Sequence, residues 1–289
     1  MAGPAGPLAI FAGRGDLPRK IAEARVAAEL PYLLVIFPDC HEPWMDAHPH
    51  EYHPFEKIGA LFKSLKGSGV AHVVFAGAMN RPKIRPWRAD FKAVSLIPRV
   101  LNLLRKGDDE MLRGFAAMLE GEGFTMVGPM EILGQDLTVR AGAVGSISPS
   151  ENHMVDARRA SAIVEVLGPL DVGQAAVVAE GICLGVEAVE GTDLLLKHVA
   201  ELPPERRAAA PPPSGVLFKG PKPGQDMRMD MPMIGPSTVD GAAAAGLSGI
   251  VVAAGQTAVA DIPAVRARAD HHKIFVYGAT PDELRDRDP

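Results

Sequence analysis

An α/β fold in two domains is what this sequence predicts, and three observations carry the expectation. Short apolar runs alternate with segments of helical spacing through the first half of the chain. Near residue 142 the texture changes to closely spaced apolar runs and proline-rich stretches. The chain has 289 residues, near the ~250–300 at which a single core splits.

Leu8–Ala12 (LAIFA), Tyr32–Phe37 (YLLVIF) and His72–Ala76 (HVVFA) are rich in Val, Ile and Phe and bounded by Gly or Pro. Such runs suit parallel strands buried on both faces. Leu17–Glu29 and Lys57–Lys66 between them have helical spacing, which makes βαβ units. Val100–Leu104, Asp109–Glu120 and a short strand at Thr125–Val127 continue the series. Residues 1–142 are therefore expected to form a Rossmann-like, nucleotide-binding parallel sheet. A helix follows at Glu151–Leu167, with Ser148 or Ser150 as its cap. Gln174–Ala179 and Ile182–Ala188 flank Glu180-Gly181, the pattern of a hairpin. Ala208–Pro213 (AAAPPP) must be an extended connector, because prolines cannot donate to a ladder. Strands are expected at Gly215–Lys219, Gln225–Met231, Gly249–Ala253 and Ile274–Tyr277. Residues 143–289 thus read as an α+β domain with a mixed sheet, and a ligand cleft is expected between the two.

Hydrophobic residues make up 47% and charged residues 22% of the chain, the profile of a globular protein rather than a disordered one. A formal net charge of −5 lacks the basic footprint of a nucleic-acid binder, so no such partner is expected. The two cysteines, Cys40 and Cys183, have no zinc or CxxC spacing, which suits a reducing compartment. The opening MAGPAGPLAIFAGRG has no basic n-region followed by a long apolar run. No stretch reaches ~18 apolar residues, and a cytoplasmic location is expected.

IFAGRGDLP (Ile10–Pro18) and VFAGAMNRP (Val74–Pro82) echo one another. Each ends a strand on Phe-Ala-Gly, where glycine lets a ligand approach the backbone at the carboxyl rim of an open sheet. Gly13, Arg14 and Gly15 form half of a dinucleotide fingerprint, a candidate phosphate cradle; an ordinary βα turn is the alternative. Asn80 and Arg81 follow the second echo, and Arg81 could fork onto phosphate oxygens. Gly107-Asp108-Asp109 offers carboxylates for a metal or a helix N-cap. HPHEYHP (His48–Pro54) matches no zinc spacing and reads as a solvated loop. EAVEGTD (Glu187–Asp193) gathers three acids and Thr192, which with Gln174 and Glu180 could surround magnesium.

KPGQDMRMDMPMIG (Lys222–Gly235) places Met227, Met229, Met231 and Met233 on odd positions and Asp226, Arg228 and Asp230 on even ones. As a strand it would set methionines on one face and charges on the other. Lys219, Lys222 and Gln225 lie just upstream, and cations beside carboxylates are what phosphoanhydride chemistry needs.

Together with GQAAVVAEG (Gly173–Gly181), VEAVEGTD (Val186–Asp193), KGDD (Lys106–Asp109), FAGAMNRP and AGRGDLP, that stretch resembles the LpxI family along essentially the whole chain. The family consists of UDP-2,3-diacylglucosamine pyrophosphatases of lipid A biosynthesis. Arg14 departs from the small residue often found at its position. The resemblance implies magnesium-dependent hydrolysis of a lipid-linked UDP-sugar to UMP and 2,3-diacylglucosamine 1-phosphate (lipid X), with water attacking the β-phosphorus. It implies Asp230 as the essential acid, with Asp226 as the second choice and Arg228 beside them. Gly13, Arg14, Gly15, Gly77, Asn80, Arg81, Asp108, Gln174, Thr192, Lys219, Lys222 and Gln225 are the implied substrate contacts. Asp230, Glu187, Glu190 and Asp193 are the implied metal ligands. Peripheral contact with the inner membrane and a homodimer are compatible with this reading. Two rivals stay open: an NAD-dependent Rossmann oxidoreductase, for which Asp39 lies near the ribose-binding position, and a non-catalytic module that binds sugar nucleotides or lipids.

Overall fold

A computed structural model describes residues 2–79, 102–103, 107–134, 137–207 and 213–285. The apolar segment Val100–Leu104 and the AAAPPP connector fall largely outside these residues. The chain divides into two compact units, Met1–Gln135 with Asp226–Asp230, and Asp136–Gln225 with Met231–Pro289.

The first unit is built on five strands: β1 (Leu8–Ala12), β2 (Tyr32–Ile36), β3 (His50–Tyr52), β4 (His72–Ala76) and β5 (Thr125–Met126). They lie in the order β3-β2-β1-β4-β5, and every neighbouring pair is parallel. The continuous apolar runs are explained by burial on both faces. Ala9, Phe11, Val35, Val73 and Phe75 pack on one side with Leu61, Phe62 and Leu65 of the helix Ile58–Gly67. Leu8, Ile10, Leu34, Ile36 and Val74 pack on the other with Ile21 and Ala22 of the helix Asp16–Ala27. Arg25 of that helix is fully buried. Its guanidinium donates to the carbonyls of Ala2, Pro4, Gly6 and Pro31, tying the N-terminal segment to the sheet.

HPHEYHP is not a simple solvated loop. His50–Tyr52 adds an edge strand, and His53 pairs with Glu51. The cap of the helix Asp108–Gly121 is Gly107 rather than an aspartate, with Asp108 as the first helical residue.

The second unit carries a six-stranded sheet formed by β6 (Gly142–Ala143), β7 (Ala175–Ala179), β8 (Ile182–Val186), β9 (Val216–Lys219), β11 (Gly249–Ala253) and β13 (Phe275–Ala279). The order is β6-β13-β11-β9-β7-β8. β9, β11 and β13 run parallel, whereas β6, β7 and β8 pair antiparallel. The mixed sheet matches the expectation. A small parallel pair, β10 (Met233–Ile234) and β12 (Ala258–Val259), stands apart. The helix Glu151–Leu167 begins at Ser150, whose hydroxyl accepts from His153 N. It covers one face of the sheet through Met154, Ala157, Ala160 and Val164. The β7–β8 hairpin turns at Glu180 (φ 48°) and Gly181 (φ 74°), both left-handed as a type I′ turn demands. Buried Asp156 accepts from both of their amides, at 3.0 and 2.8 Å.

Gln225–Met231 is not a strand. Met229 N and Asp230 N both donate to Asp226 O, at 2.9 and 3.1 Å, closing a single turn. The Asp226 side chain reinforces it by accepting from Arg228 N at 3.0 Å. An aspartate that bonds the backbone two residues ahead competes with a ladder, and here the local bond wins. Of the four methionines, Met229 alone is buried and Met233 alone lies in a strand.

Candidate functional site

The first group of candidate residues sits at the carboxyl ends of β1 and β4. Gly13 N donates to Ala76 O at 2.7 Å, and Arg14 and Ala78 exchange backbone bonds of 2.9 Å in each direction. A Cβ on Gly13 would stand 2.6 Å from the Gly77 carbonyl carbon, and one on Gly77, at φ +86°, 2.6 Å from Arg14 O. The two Phe-Ala-Gly echoes therefore press against each other, and their glycines are required by that contact. Gly15 is different. Its φ of 97° and ψ of −179° belong to a region open to glycine alone, and a Cβ there would meet nothing within 4 Å. Its N–H, at the start of the helix, donates to Glu42 Oε1 at 3.0 Å, while Glu42 Oε2 accepts from Trp44 Nε1 at 2.7 Å. A carboxylate of the chain itself thus accepts from the Gly15 N–H at the start of that helix. Asn80 and Arg81 lie outside the described residues.

The Asp226–Asp230 turn belongs to this same unit. Asp226 grips Arg228 with both oxygens: Oδ1 accepts from Nε at 3.0 Å and Oδ2 from Nη2 at 2.7 Å. Arg228 Nη1 also reaches Glu120 Oε1 at 3.5 Å. The hydrogen bonds from Arg228 hold the Asp226 carboxyl below the usual carboxylate range, and the same pairing raises the pKa of the guanidinium. Met229, 7% exposed, anchors the turn in the core cluster that contains Phe11, Phe75 and Phe124. A Cβ on Gly128 would lie 3.3 Å from Arg228 Cα, so Gly128 leaves the room that the turn needs. Asp230 is half-buried at the end of the turn.

The second unit gathers the remaining polar candidates. Lys219 ends β9 and is 6% exposed. Its ammonium bonds the hydroxyl of Thr192 and lies 3.4 Å from Glu187 Oε1. Thr192, the first residue of the helix Thr192–Ala200, donates to Glu187 Oε1 at 2.5 Å. Glu187 Oε2 accepts from Gln174 N at 3.1 Å. The Gln174 side chain continues the chain of contacts, accepting from Gln225 Nε2 at 3.2 Å, and Gln225 Oε1 accepts from Lys222 N at 2.8 Å. The Lys222 ammonium pairs with Asp171. Glycine precedes Gln174 for a steric reason: a Cβ on Gly173 would stand 2.0 Å from Glu187 O. Six residues singled out from separate stretches of sequence, Gln174, Glu187, Thr192, Lys219, Lys222 and Gln225, therefore form one connected network.

Glu190 and Asp193 do not join it. Glu190 Oε1 accepts from Ala188 N at 3.2 Å, and Asp193 is exposed in the first helical turn. Among the described residues no group of three His, Cys, Asp or Glu side chains is arranged to hold a metal ion. Glu187 in particular has an ammonium and a hydroxyl on one oxygen and an amide on the other. Glu187, Glu190 and Asp193 do not fit a magnesium cage.

The sequence reading missed Asp171, Glu42, Glu120 and Gly128. Asp171 has a left-handed backbone (φ 54°) just past the 3-10 turn Gly168–Leu170, and nothing local marks it as the partner of a lysine that lies fifty-one positions along the chain. Trp44, two residues after Glu42, was the available hint for that carboxylate.

Comparison with known proteins gives consistent matches. A family model described as the LpxI N-terminal domain matches residues 7–135, and one described as the LpxI C-terminal domain matches residues 140–277. A UDP-2,3-diacylglucosamine pyrophosphatase LpxI from Caulobacter vibrioides is 40% identical over 276 residues, covering 96% of this chain and 98% of the relative.

Proposed function

The chain belongs to the LpxI family, and from that premise we propose that it hydrolyses the diphosphate of UDP-2,3-diacylglucosamine. Water adds to phosphorus, the bridging P–O bond breaks, and UMP and 2,3-diacylglucosamine 1-phosphate leave. Stabilising such a step requires cations where negative charge develops and a carboxylate that orients or deprotonates the water.

The observation that carries this reading is the path of the chain through residues 219–231. Lys219, Lys222 and Gln225 are fixed in the second unit, Asp226, Arg228 and Asp230 belong to the first, and the chain returns to the second at Met231. The cations and acids that the reaction needs thus follow one another along one short stretch of the chain. Lys219 and Lys222 counter the charge of the diphosphate. Arg228 does the same in an orientation set by the two oxygens of Asp226, which makes Asp226 a positioning residue. Asp230 is assigned to the attacking water. Magnesium binds through one or two carboxylates plus substrate phosphates and keeps several waters, and Asp230 with the diphosphate supplies such a donor set. When bound, the metal would neutralise charge on the phosphate oxygens.

No helix among the described residues is long and apolar enough to cross a membrane. A diacylated substrate resides in a bilayer, and we place the protein at the cytoplasmic surface of one, in peripheral contact.

The test is direct. Purified protein is incubated with UDP-2,3-diacylglucosamine, with magnesium or with EDTA, and nucleotide products are separated by chromatography. UMP with magnesium and its loss in EDTA are expected. Absence of UMP under metal-replete conditions refutes the activity, and undiminished UMP in EDTA refutes the metal.

A further inference from the structure

We propose that Glu187 is a positioning residue for Lys219, acting through Thr192, rather than a ligand of the metal; this rests on the hydrolase reading above. The acidic run that Glu187 opens suggests the metal role.

The geometry points elsewhere. Glu187 and Lys219 are both buried, with side chains 8% and 7% exposed. A lysine ammonium has three donors and no acceptor, whereas a threonine hydroxyl has one donor and can accept as well. Thr192 gives its proton to Glu187 Oε1 at 2.5 Å, which turns its lone pairs toward the Lys219 ammonium. Glu187 Oε1 also meets that ammonium directly at 3.4 Å. Two of the three donors are thereby fixed, which sets the orientation of the ammonium. The other oxygen of Glu187 accepts from Gln174 N at 3.1 Å, which stops the carboxylate from rotating. The backbone of Lys219 is pinned as well, since its carbonyl accepts from the buried Thr257 hydroxyl at 3.3 Å.

Charge supports the same assignment. A buried ammonium needs a counter-charge, and Glu187 is the acid that the structure places on Lys219. A carboxylate already neutralised by that ammonium is a poor ligand for a dication. Lys219 also stands at the carboxyl end of β9, which runs parallel to β11 and antiparallel to β7, and the carboxyl ends of parallel strands are where ligands meet sheets of this kind.

The experiment compares wild-type protein with Glu187→Gln, Thr192→Val and Thr192→Ser, measuring kcat, KM and the magnesium concentration for half-maximal rate. Glu187→Gln removes the counter-charge and Thr192→Val removes the hydroxyl. Misplacing one phosphate-facing cation is expected to lower kcat/KM by roughly 100-fold. Thr192→Ser keeps the hydroxyl and should stay within a few-fold of wild type. The half-maximal magnesium concentration should be unchanged in every variant. A large rise in that concentration for Glu187→Gln, with Thr192→Val near wild type, would make Glu187 a metal ligand and overturn the proposal. Equal losses in Thr192→Val and Thr192→Ser would overturn the role of the hydroxyl. Thermal melts of each variant identify unfolding, and Thr192→Ser, which removes only a methyl group, keeps the comparison decisive if Glu187→Gln does not fold. Wild-type protein that releases no UMP would instead refute the hydrolase reading itself.

Discussion

Alanine substitution of three glycines separates two physical reasons for glycine at the rim of the first unit. Gly13 is held by overlap: an added Cβ would lie 2.6 Å from Gly77 C and 2.7 Å from Ala78 O. Overpacking of that kind costs about 1–3 kcal/mol. Gly15 is held by conformation, with open space around a built Cβ and a backbone that only glycine adopts readily. Such strain costs about 1–3 kcal/mol. Gly77 carries both burdens, with φ +86° and a Cβ 2.6 Å from Arg14 O. The sum for Gly77→Ala is about 2–6 kcal/mol. The chain contains its own probe. Cys183 is exposed and reacts with a thiol reagent at once, whereas Cys40 is 4% exposed in the first unit and reacts when that unit opens. Burial also raises the pKa of the Cys40 thiol, which keeps it unreactive in the closed state. Each 1.4 kcal/mol is about a tenfold change in the opening equilibrium. Gly77→Ala should therefore speed the slow thiol phase by at least about 30-fold, and more than Gly13→Ala or Gly15→Ala. The double variant Gly13→Ala with Gly77→Ala should depart from additivity, since both new methyl groups enter one gap. A slow phase in Gly77→Ala no faster than in Gly15→Ala would refute the contact between the two loops as the reason for these glycines.

Three further outcomes follow from other parts of the molecule. The hydrogen bonds from Arg228 depress the Asp226 carboxyl, so its contribution to stability is present above the unfolded value of about 3.9 and is lost as pH falls through the lower folded value. Acid unfolding should show wild type more stable than Asp226→Asn at pH 6, with the gap closing below about pH 4; a gap independent of pH contradicts the pairing. Arg25→Met leaves the carbonyls of Ala2, Pro4, Gly6 and Pro31 without their donor, and urea unfolding should register a loss of about 3 kcal/mol or more. Asp156→Ala strips the acceptor from the Glu180 and Gly181 amides. It should cost about 1–3 kcal/mol while leaving KM for the UDP-sugar unchanged, and a shifted KM would give the hairpin a role in binding.

Much of the architecture was legible in the sequence because its strands are buried on both sides. LAIFA, YLLVIF and HVVFA have no polar face to hide, and the positive-φ pair Glu180-Gly181 announces a hairpin. The two-residue strands at Gly142–Ala143, Met233–Ile234 and Ala258–Val259 are too short to carry a period and could not be read. The methionine alternation failed for a physical reason. Side chains at successive positions face opposite ways only if the backbone is extended, and the Asp226 carboxylate closes a turn instead. The candidate site was legible residue by residue but not as a network. The motifs drew attention to Lys219, Thr192, Glu187 and Gln174 separately, whereas the link through Asp171 depends on a contact fifty-one positions along the chain. The glycine rim was found from its motif, and the structure adds a second reason for it, a close backbone approach between two loops of the same sheet.

The central claim is that the acids of the Asp226–Asp230 turn serve pyrophosphate hydrolysis in different ways. The measurement is the turnover of UDP-2,3-diacylglucosamine to UMP by wild type, Asp226→Asn and Asp230→Asn, with substrate binding measured separately by calorimetry in EDTA. Asp230→Asn should lose turnover on the order of 10²–10⁴-fold with binding retained, and Asp226→Asn should lose less. Asp230→Asn turning over at close to the wild-type rate would contradict the assignment.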